Sequence, residues 1–173
     1  GITQSEKHND RQISPIIRTK FDYTPSKERV LLHVNSLGYH EAYINGEPVS
    51  ESMLNPAVSE FSKRSLIVTY DVTNLLKKGN NELSIWLGIG WYHKRAQGVV
   101  DGGPYVRAQL ESVKPNGDHN VITKSDEKWE AANSGRYSIG NLWVNGEYID
   151  KSELVTDLSS NAAENLTWQQ VVV

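Results

Sequence analysis

Cysteine is absent from this chain of 173 residues. Disulfides, thiolate zinc sites and cysteine nucleophiles are therefore excluded. No uninterrupted apolar run approaches the length that a membrane-crossing helix needs. A positive charge balance is lacking too: 18 Lys and Arg stand against 21 Asp and Glu, a formal net charge of -3. That argues against the basic field that nucleic acid or an anionic membrane would favour, so neither is expected as a partner. The polar opening, Gly1 to Arg11, has no signal-peptide core. Neither this nor the missing cysteine decides the compartment, and a periplasmic or secreted location is slightly favoured over a cytoplasmic one.

What is present suits a folded domain. Hydrophobic residues make up 38% and charged residues 23%, ordinary values for a globular chain. The length allows one domain with a sizeable core. Residues 1–14 are polar and unpatterned and read as a flexible lead-in or a short first strand. Residues 15–173 read as a single β-sandwich domain.

The pattern along 15–173 is a series of short strands. Ile16 to Tyr23 suits an edge strand, and Thr24-Pro25-Ser26-Lys27 a turn. Val30 to Val34 is a buried-strand run. Tyr39 to Ile44 leads into Asn45-Gly46, a strong hairpin signal because both central positions of a type I′ turn need positive φ. Leu66 to Tyr70 is a further strand. Asp71 to Gly79 predicts a short helix, with Asp71 as N-cap, Lys77 and Lys78 at the C-terminal end, and Gly79 at C′. Asn81 to Leu87 alternates, with Leu83, Ile85 and Leu87 on one face and Ser84 and Trp86 on the other. Which face is inner stays open, and so does the place of Trp86. Tyr105 to Val113 alternates again, and Asn116-Gly117 predicts a second hairpin turn before Asn120 to Thr123. The remainder, from Ser125, predicts irregular chain with short strands. Many short strands, turns and one short helix predict an all-β, antiparallel β-sandwich. No alternation of strands and full helices supports a parallel α/β sheet.

The middle of the chain resembles a known family. Gly38-Tyr39, Asn45-Gly46-Glu47-Pro48-Val49, Leu54-Asn55-Pro56, Tyr70-Asp71-Val72-Thr73, Gly79-Asn80-Asn81 and Leu87-Gly88-Ile89-Gly90-Trp91-Tyr92 occur in that order. This order resembles the N-terminal β-sandwich domain of bacterial α-L-rhamnosidases of glycoside hydrolase family 78. Ser14 to Phe21 resembles the opening strand of that region, and Gly146-Glu147-Tyr148-Ile149-Asp150 its closing element. The Asn-Gly, Asp-Val-Thr and Gly-x-Asn pieces are shared with the jelly rolls of family 2 glycosidases. The Gly-Trp-Tyr run and the Gly-Glu-x-x-Asp element shift the match to rhamnosidases. Two segments depart from the family pattern: Val58-Ser59-Glu60-Phe61 lacks its Trp-Thr-x-Tyr, and Ile149-Asp150-Lys151-Ser152 lacks its Arg. The resemblance implies a jelly roll of galactose-binding-domain type. It also implies a parent enzyme whose catalytic carboxylates lie in a separate (α/α)6 barrel, for which this chain has no long helical patterns.

The resemblance and the residues together point to a domain without catalytic residues of its own. Asp101, Glu147 and Asp150 are the acidic candidates, but no spacing marks the facing pair that glycoside hydrolysis uses. For carbohydrate binding the candidates are Trp91, Tyr92, Tyr105 and Trp143, with His93, Asp101, Asn145 and Glu147 as polar partners and Tyr148 nearby. Aromatic rings pack on the C–H faces of sugars and polar groups meet the hydroxyls. The same rings also fill sandwich cores. Gly102-Gly103-Pro104 reads as a plain strand connection or as a loop closing over a ligand, the former favoured. No cofactor is expected, with calcium kept as the alternative because the resemblance extends to sugar modules that hold it near their ligand. Asn80, Asn81 and Asp101 carry oxygens suited to calcium but form no calcium-loop motif. His8, His33, His40, His93 and His119 are scattered without zinc spacing, so no metal is expected. Asn165-Leu166-Thr167 fits a glycosylation sequon, of no consequence in a bacterial protein. The expected partners are rhamnose-containing glycans and a catalytic (α/α)6 barrel. Three roles follow: a carbohydrate-binding accessory domain, a structural domain packed on the barrel, or a small enzyme, the last disfavoured.

Overall fold

The computed structural model describes residues 7–8, 11–92, 102–140, 145–158 and 165–173. The first strands are β1 (Lys7–His8), β2 (Arg11–Ile13), β3 (Ile16–Tyr23), β4 (Arg29–Leu37) and β5 (Tyr39–Ile44). Next come β6 (Glu47–Pro48), β7 (Ile67–Asp71), β8 (Gly79–Gly88), β9 (Tyr105–Val113) and β10 (His119–Lys124). The chain closes with β11 (Glu130–Ala132), β12 (Arg136–Gly140), β13 (Asn145–Ile149) and β14 (Gln169–Gln170). A six-stranded sheet has the order β14-β11-β3-β8-β5-β6, and a four-stranded sheet the order β10-β9-β4-β7. A third, smaller sheet has the order β1-β2-β12-β13. The recorded strand pairs are antiparallel, which gives the β-sandwich that the sequence pattern predicts.

Strand alternation builds the core. On β8, Leu83, Ile85 and Leu87 are buried at 0%, 0% and 1% exposure, so this is the inner face. They meet Val30, Leu32 and Val34 of β4 and Val106, Ala108 and Leu110 of β9 in one cluster. Burying a side chain of this size contributes about 1.5–3 kcal/mol. The Asn45-Gly46 turn has φ of 53° and 84°, the positive pair that a type I′ hairpin requires.

Three expectations change. Ile16–Tyr23 is no edge strand: β3 lies between β11 and β8. Only its first three residues pair with β11, because that strand is three residues long. The predicted helix at Asp71–Gly79 shrinks to a single 3-10 turn, Thr73–Leu75. Asp71 does accept the Thr73 N–H at 3.1 Å, but Leu76 is already extended. The buried side chain of Asn81 holds the rest of the loop. It accepts the Lys77 N–H at 3.0 Å and donates to the carbonyls of Lys77 and Gly79, each at 2.8 Å. These bonds take backbone groups that a helix would need for its own ladder. The second hairpin exists, but only Gly117 of its Asn-Gly pair has positive φ, and residues 114–118 separate its strands.

The third sheet recruits the start of the chain, as Gln12 and Ile13 of β2 pair with Ser138 and Tyr137 of β12. At Ser14-Pro15 the chain passes from the third sheet into β3, and between β11 and β12 it passes back. Ser14 N–H donates to the Arg136 carbonyl at 2.9 Å, and Ser134 Oγ donates to the Ser14 carbonyl at 2.5 Å, which ties the two crossings together.

Candidate functional site

The outer face of the six-stranded sheet follows from its register. Glu41 of β5 pairs with Trp86 of β8, Tyr39 pairs with Gly88, and Ile16 of β3 lies on the other side of Trp86. Successive strand residues point to opposite sides, so Trp86 and Gly88 share the face opposite to Leu83, Ile85 and Leu87. Part of this face is covered: Ile16, Val155 and Leu158 form a small apolar cluster against which Trp86 and Trp168 pack. The Arg18 guanidinium stacks 3.7 Å from the Trp168 ring centre and reaches Glu130 at 3.0 Å.

The uncovered part is a groove of about 400 Å³ between this face and the third sheet, whose lining includes Tyr39, Glu41, Trp86, Gly88, Arg136 and Glu147. Arg136 Nη1 donates to Glu147 at 3.0 Å, and its guanidinium lies 5.4 Å from the Trp86 ring centre. Glu41 accepts the Tyr43 hydroxyl at 2.7 Å. Leu54, 64% exposed and held at φ +59°, also lines the groove. Positive φ is uncommon for a leucine. Its neighbour Asn55 is anchored by the His40 N–H donating to its carbonyl at 2.7 Å.

Beneath the groove, on the inner face of β5, His40 is buried among polar partners. Its Nδ1 lies 2.7 Å from Ser36 Oγ and its Nε2 2.9 Å from the Tyr70 hydroxyl. Burial lowers its pKa to about 4, so the ring is neutral at pH 7. A second polar cluster lies on the four-stranded sheet. There Glu111 accepts from His119 at 2.6 Å, Gln109 at 2.7 Å and His33 at 3.1 Å. Burial pushes the Glu111 pKa up, but these bonds outweigh it and hold the carboxyl below its usual range.

The predicted site residues fall into separate places. Tyr92 is 2% exposed and packs edge-on against Phe61 and Tyr105, at centroid distances of 5.2 and 6.1 Å. Tyr105 is half-buried, and a Cβ on Gly102 would meet its hydroxyl at 2.1 Å. Trp91 is 48% exposed. Glu147 lines the groove described above, beside Arg136, and not this ring cluster. Asn145 belongs to β13, while His93, Asp101 and Trp143 lie outside the described residues. Of the acidic candidates, Glu147 is ion-paired. Asp150 accepts the Ser152 N–H and hydroxyl at 2.9 and 2.6 Å. Of the calcium candidates, the Asn81 oxygen accepts from Lys77 and Asn45, and Asn80 is exposed on β8.

Sequence reasoning missed Tyr39, Glu41, Gly88 and Arg136. The signal for Gly88 and Trp86 was the alternation of β8 itself, once its inner face is known. Arg136 carried no local signal.

Fold and groove together define an antiparallel β-sandwich module with an aromatic and charged groove on one outer face. A family model described as the α-L-rhamnosidase N-terminal domain matches residues 26–173. The chain belongs to that family. An α-L-rhamnosidase of Streptomyces avermitilis is 31% identical over 150 residues, covering 83% of this chain and 14% of the relative. One of Formosa agariphila is 26% identical over 160 residues, covering 90% of this chain and 17% of the relative. The chain thus spans about a sixth of the length of the curated relatives it matches. Among solved structures, the Streptomyces avermitilis α-L-rhamnosidase complexed with L-rhamnose superposes with a TM-score of 0.72 at 26% identity, covering 94% of this chain and 16% of that one. The α-L-rhamnosidase of Dictyoglumus thermophilum shares the fold, with a TM-score of 0.77 at 22% identity, over 99% of this chain and 20% of that one.

Proposed function

We propose that this chain is a non-catalytic accessory domain of an α-L-rhamnosidase that binds rhamnose-bearing glycan for a catalytic barrel carried by the rest of the enzyme. The observation that carries this is the mismatch of lengths: the family match spans residues 26–173 here but only a sixth of the relatives named for the activity. The acidic groups support it. Glycoside hydrolysis uses two carboxyl groups flanking the scissile bond, one as acid and one as base or nucleophile. The groove's carboxylates are instead engaged within the domain, Glu147 by Arg136 and Glu41 by Tyr43.

A second reading, packing against the catalytic domain alone, draws on Met53, Leu54, Val58 and Trp91. These are 76%, 64%, 55% and 48% exposed, and exposed apolar surface marks interaction sites. Two measurements on the chain separate the readings. An aryl α-L-rhamnoside should show no turnover, and any turnover rejects both. Calorimetric titration with L-rhamnose should release heat. Silence at millimolar sugar leaves the packing role.

A further inference from the structure

The border of the six-stranded sheet has a gap beside β3. That strand is eight residues long, but β11 pairs only with Ile16, Ile17 and Arg18. Thr19 to Tyr23 pair with β8 on one side and with no described residue on the other. Alternate residues of a strand direct their N–H and C=O groups to each side. A row of backbone donors and acceptors is therefore left open along Thr19 to Tyr23. Trp129 explains the gap. It is 1% exposed, and its Nε1–H donates to the Lys124 carbonyl at 2.9 Å. With Trp129 drawn into the core, the chain crosses from β10 through Asp126 to Lys128 and joins β3 only at Glu130.

Beside the open edge lies a cleft of about 560 Å³, with β3 on one side and Val121 to Lys124 of the other sheet facing it. Ile122 packs on the core and Val121 is 48% exposed, so this facing wall is apolar. The rim is basic. Arg18, Lys20, Lys124 and Lys128 border the cleft against Asp126 and Glu130. Arg18 takes Glu130 at 3.0 Å, and Asp126 accepts the Lys128 backbone N–H at 2.9 Å. The three lysines form no ion pair among the described residues. A chain of net charge -3 thus carries one basic cleft along an open strand edge.

We infer that the open edge of β3 takes an added strand, supplied by a segment of the parent enzyme outside these residues that alternates apolar residues with acidic or neutral polar ones. The inference rests on the accessory-domain reading above, in which this chain spans about a sixth of the whole enzyme. Strand addition gains affinity from main-chain hydrogen bonds and specificity from alternate side chains. The apolar side chains of the added strand face Val121 and Ile122. Its outward side chains pass Lys20 and Asp22, the two exposed residues of β3. Opposite charges across a strand pair stabilise and like charges destabilise. An acid therefore belongs opposite Lys20 and a neutral residue opposite Asp22, which fixes the register. Glu82, the neighbour of Lys20 on β8, is already engaged by Arg18 at 3.4 Å. A lysine on an edge also discourages indiscriminate pairing, as suits an edge kept for one segment. Tethering within one polypeptide raises the effective concentration, so a short strand is enough.

The test titrates the chain with the peptide acetyl-Ser-Val-Thr-Val-Glu-Val-Ser-amide, following backbone amide NMR signals. Shifts should concentrate at Thr19 to Tyr23 and along β10. A peptide with Lys in place of Glu should bind about fivefold more weakly, and Lys20→Gln should remove that difference while melting like the unsubstituted chain. The Glu peptide N-methylated on alternate amides should not bind. In the parent enzyme, the edge amides of Thr19 to Tyr23 should exchange with solvent at least about tenfold more slowly than in this chain alone. Equal binding of the N-methylated peptide overturns strand addition, and equal binding of the Lys peptide overturns the acidic assignment. Equal exchange in the parent enzyme overturns the proposed source. Dimerisation of the chain that protects the same amides overturns it in favour of a second copy. Absence of peptide binding rejects the open edge while the accessory-domain reading survives, whereas turnover of an aryl α-L-rhamnoside by this chain rejects that reading itself.

Discussion

One strand, β8, faces two different surroundings. Its inner side, Leu83, Ile85 and Leu87, is sealed against the four-stranded sheet. Its outer side runs from Ser84, 2% exposed, through half-buried Trp86 to Gly88. The inner side is specified by packing, where any change of volume is felt. The outer side leaves open space at Gly88, where an added Cβ would meet only the Tyr39 Cβ at 3.9 Å. The contrast teaches that one strand can seal a core on one face and leave room beside an indole on the other.

The two sides should respond to mutation very differently. The largest effect is expected from Ile85→Ala, which removes fully buried volume and should lower stability by about 2–5 kcal/mol, read from urea unfolding midpoints. A loss below about 1 kcal/mol would mean that the inner side tolerates voids like a surface. Acid tests the inner side of β5 next. His40 has a folded pKa of about 4, below the unfolded value near 6.5. The unfolded chain therefore takes up the proton first as pH falls. Stability is full above pH 6.5 and declines through the window down to about 4, by on the order of 3 kcal/mol. Unfolding curves from pH 7 to 4.5 should show this decline, and a His40→Gln variant should flatten it. Glu111 acts separately, because its lowered pKa withdraws stability only below the ordinary carboxylate range.

A middle-sized effect is expected at the loop that replaces the predicted helix. Asn81→Ala removes the amide that joins Lys77, Gly79 and Asn45. The loss should be about 1–3 kcal/mol, because partner groups are left unsatisfied. An unchanged melting temperature would show that the 3-10 turn holds without it. The smallest effect is expected from Gly88→Ala, within about 0.5 kcal/mol of the parent, since its added Cβ meets one ordinary contact. A severe loss there would make Gly88 a structural glycine and remove the contrast between the two sides of β8.

The strands and the Asn45-Gly46 turn were legible because their signals are local: alternation, β-branched residues and a positive-φ dipeptide. The helix was misread for a physical reason. Asp71 to Gly79 carries good termini, but the Asn81 side chain, beyond the segment, outcompetes the helical ladder. The third sheet was illegible because it joins Ile13 to Tyr137, two residues that only the folded topology brings together. The groove inherits that difficulty, since Arg136 and Glu147 come from the third sheet while Tyr39 and Trp86 come from the large one. The burial of Tyr92 was equally hidden, because its partner Phe61 comes from the long connection between β6 and β7.

The large sheet ends on both sides in strands of two residues, Gln169–Gln170 and Glu47–Pro48. An unpaired border row invites another chain to dock its own backbone, and shortness, charge and proline all discourage this. Proline lacks the N–H that an incoming strand would need, so the Glu47–Pro48 margin offers a poor template. At these two margins the large sheet therefore has little tendency to take on a strand from another chain.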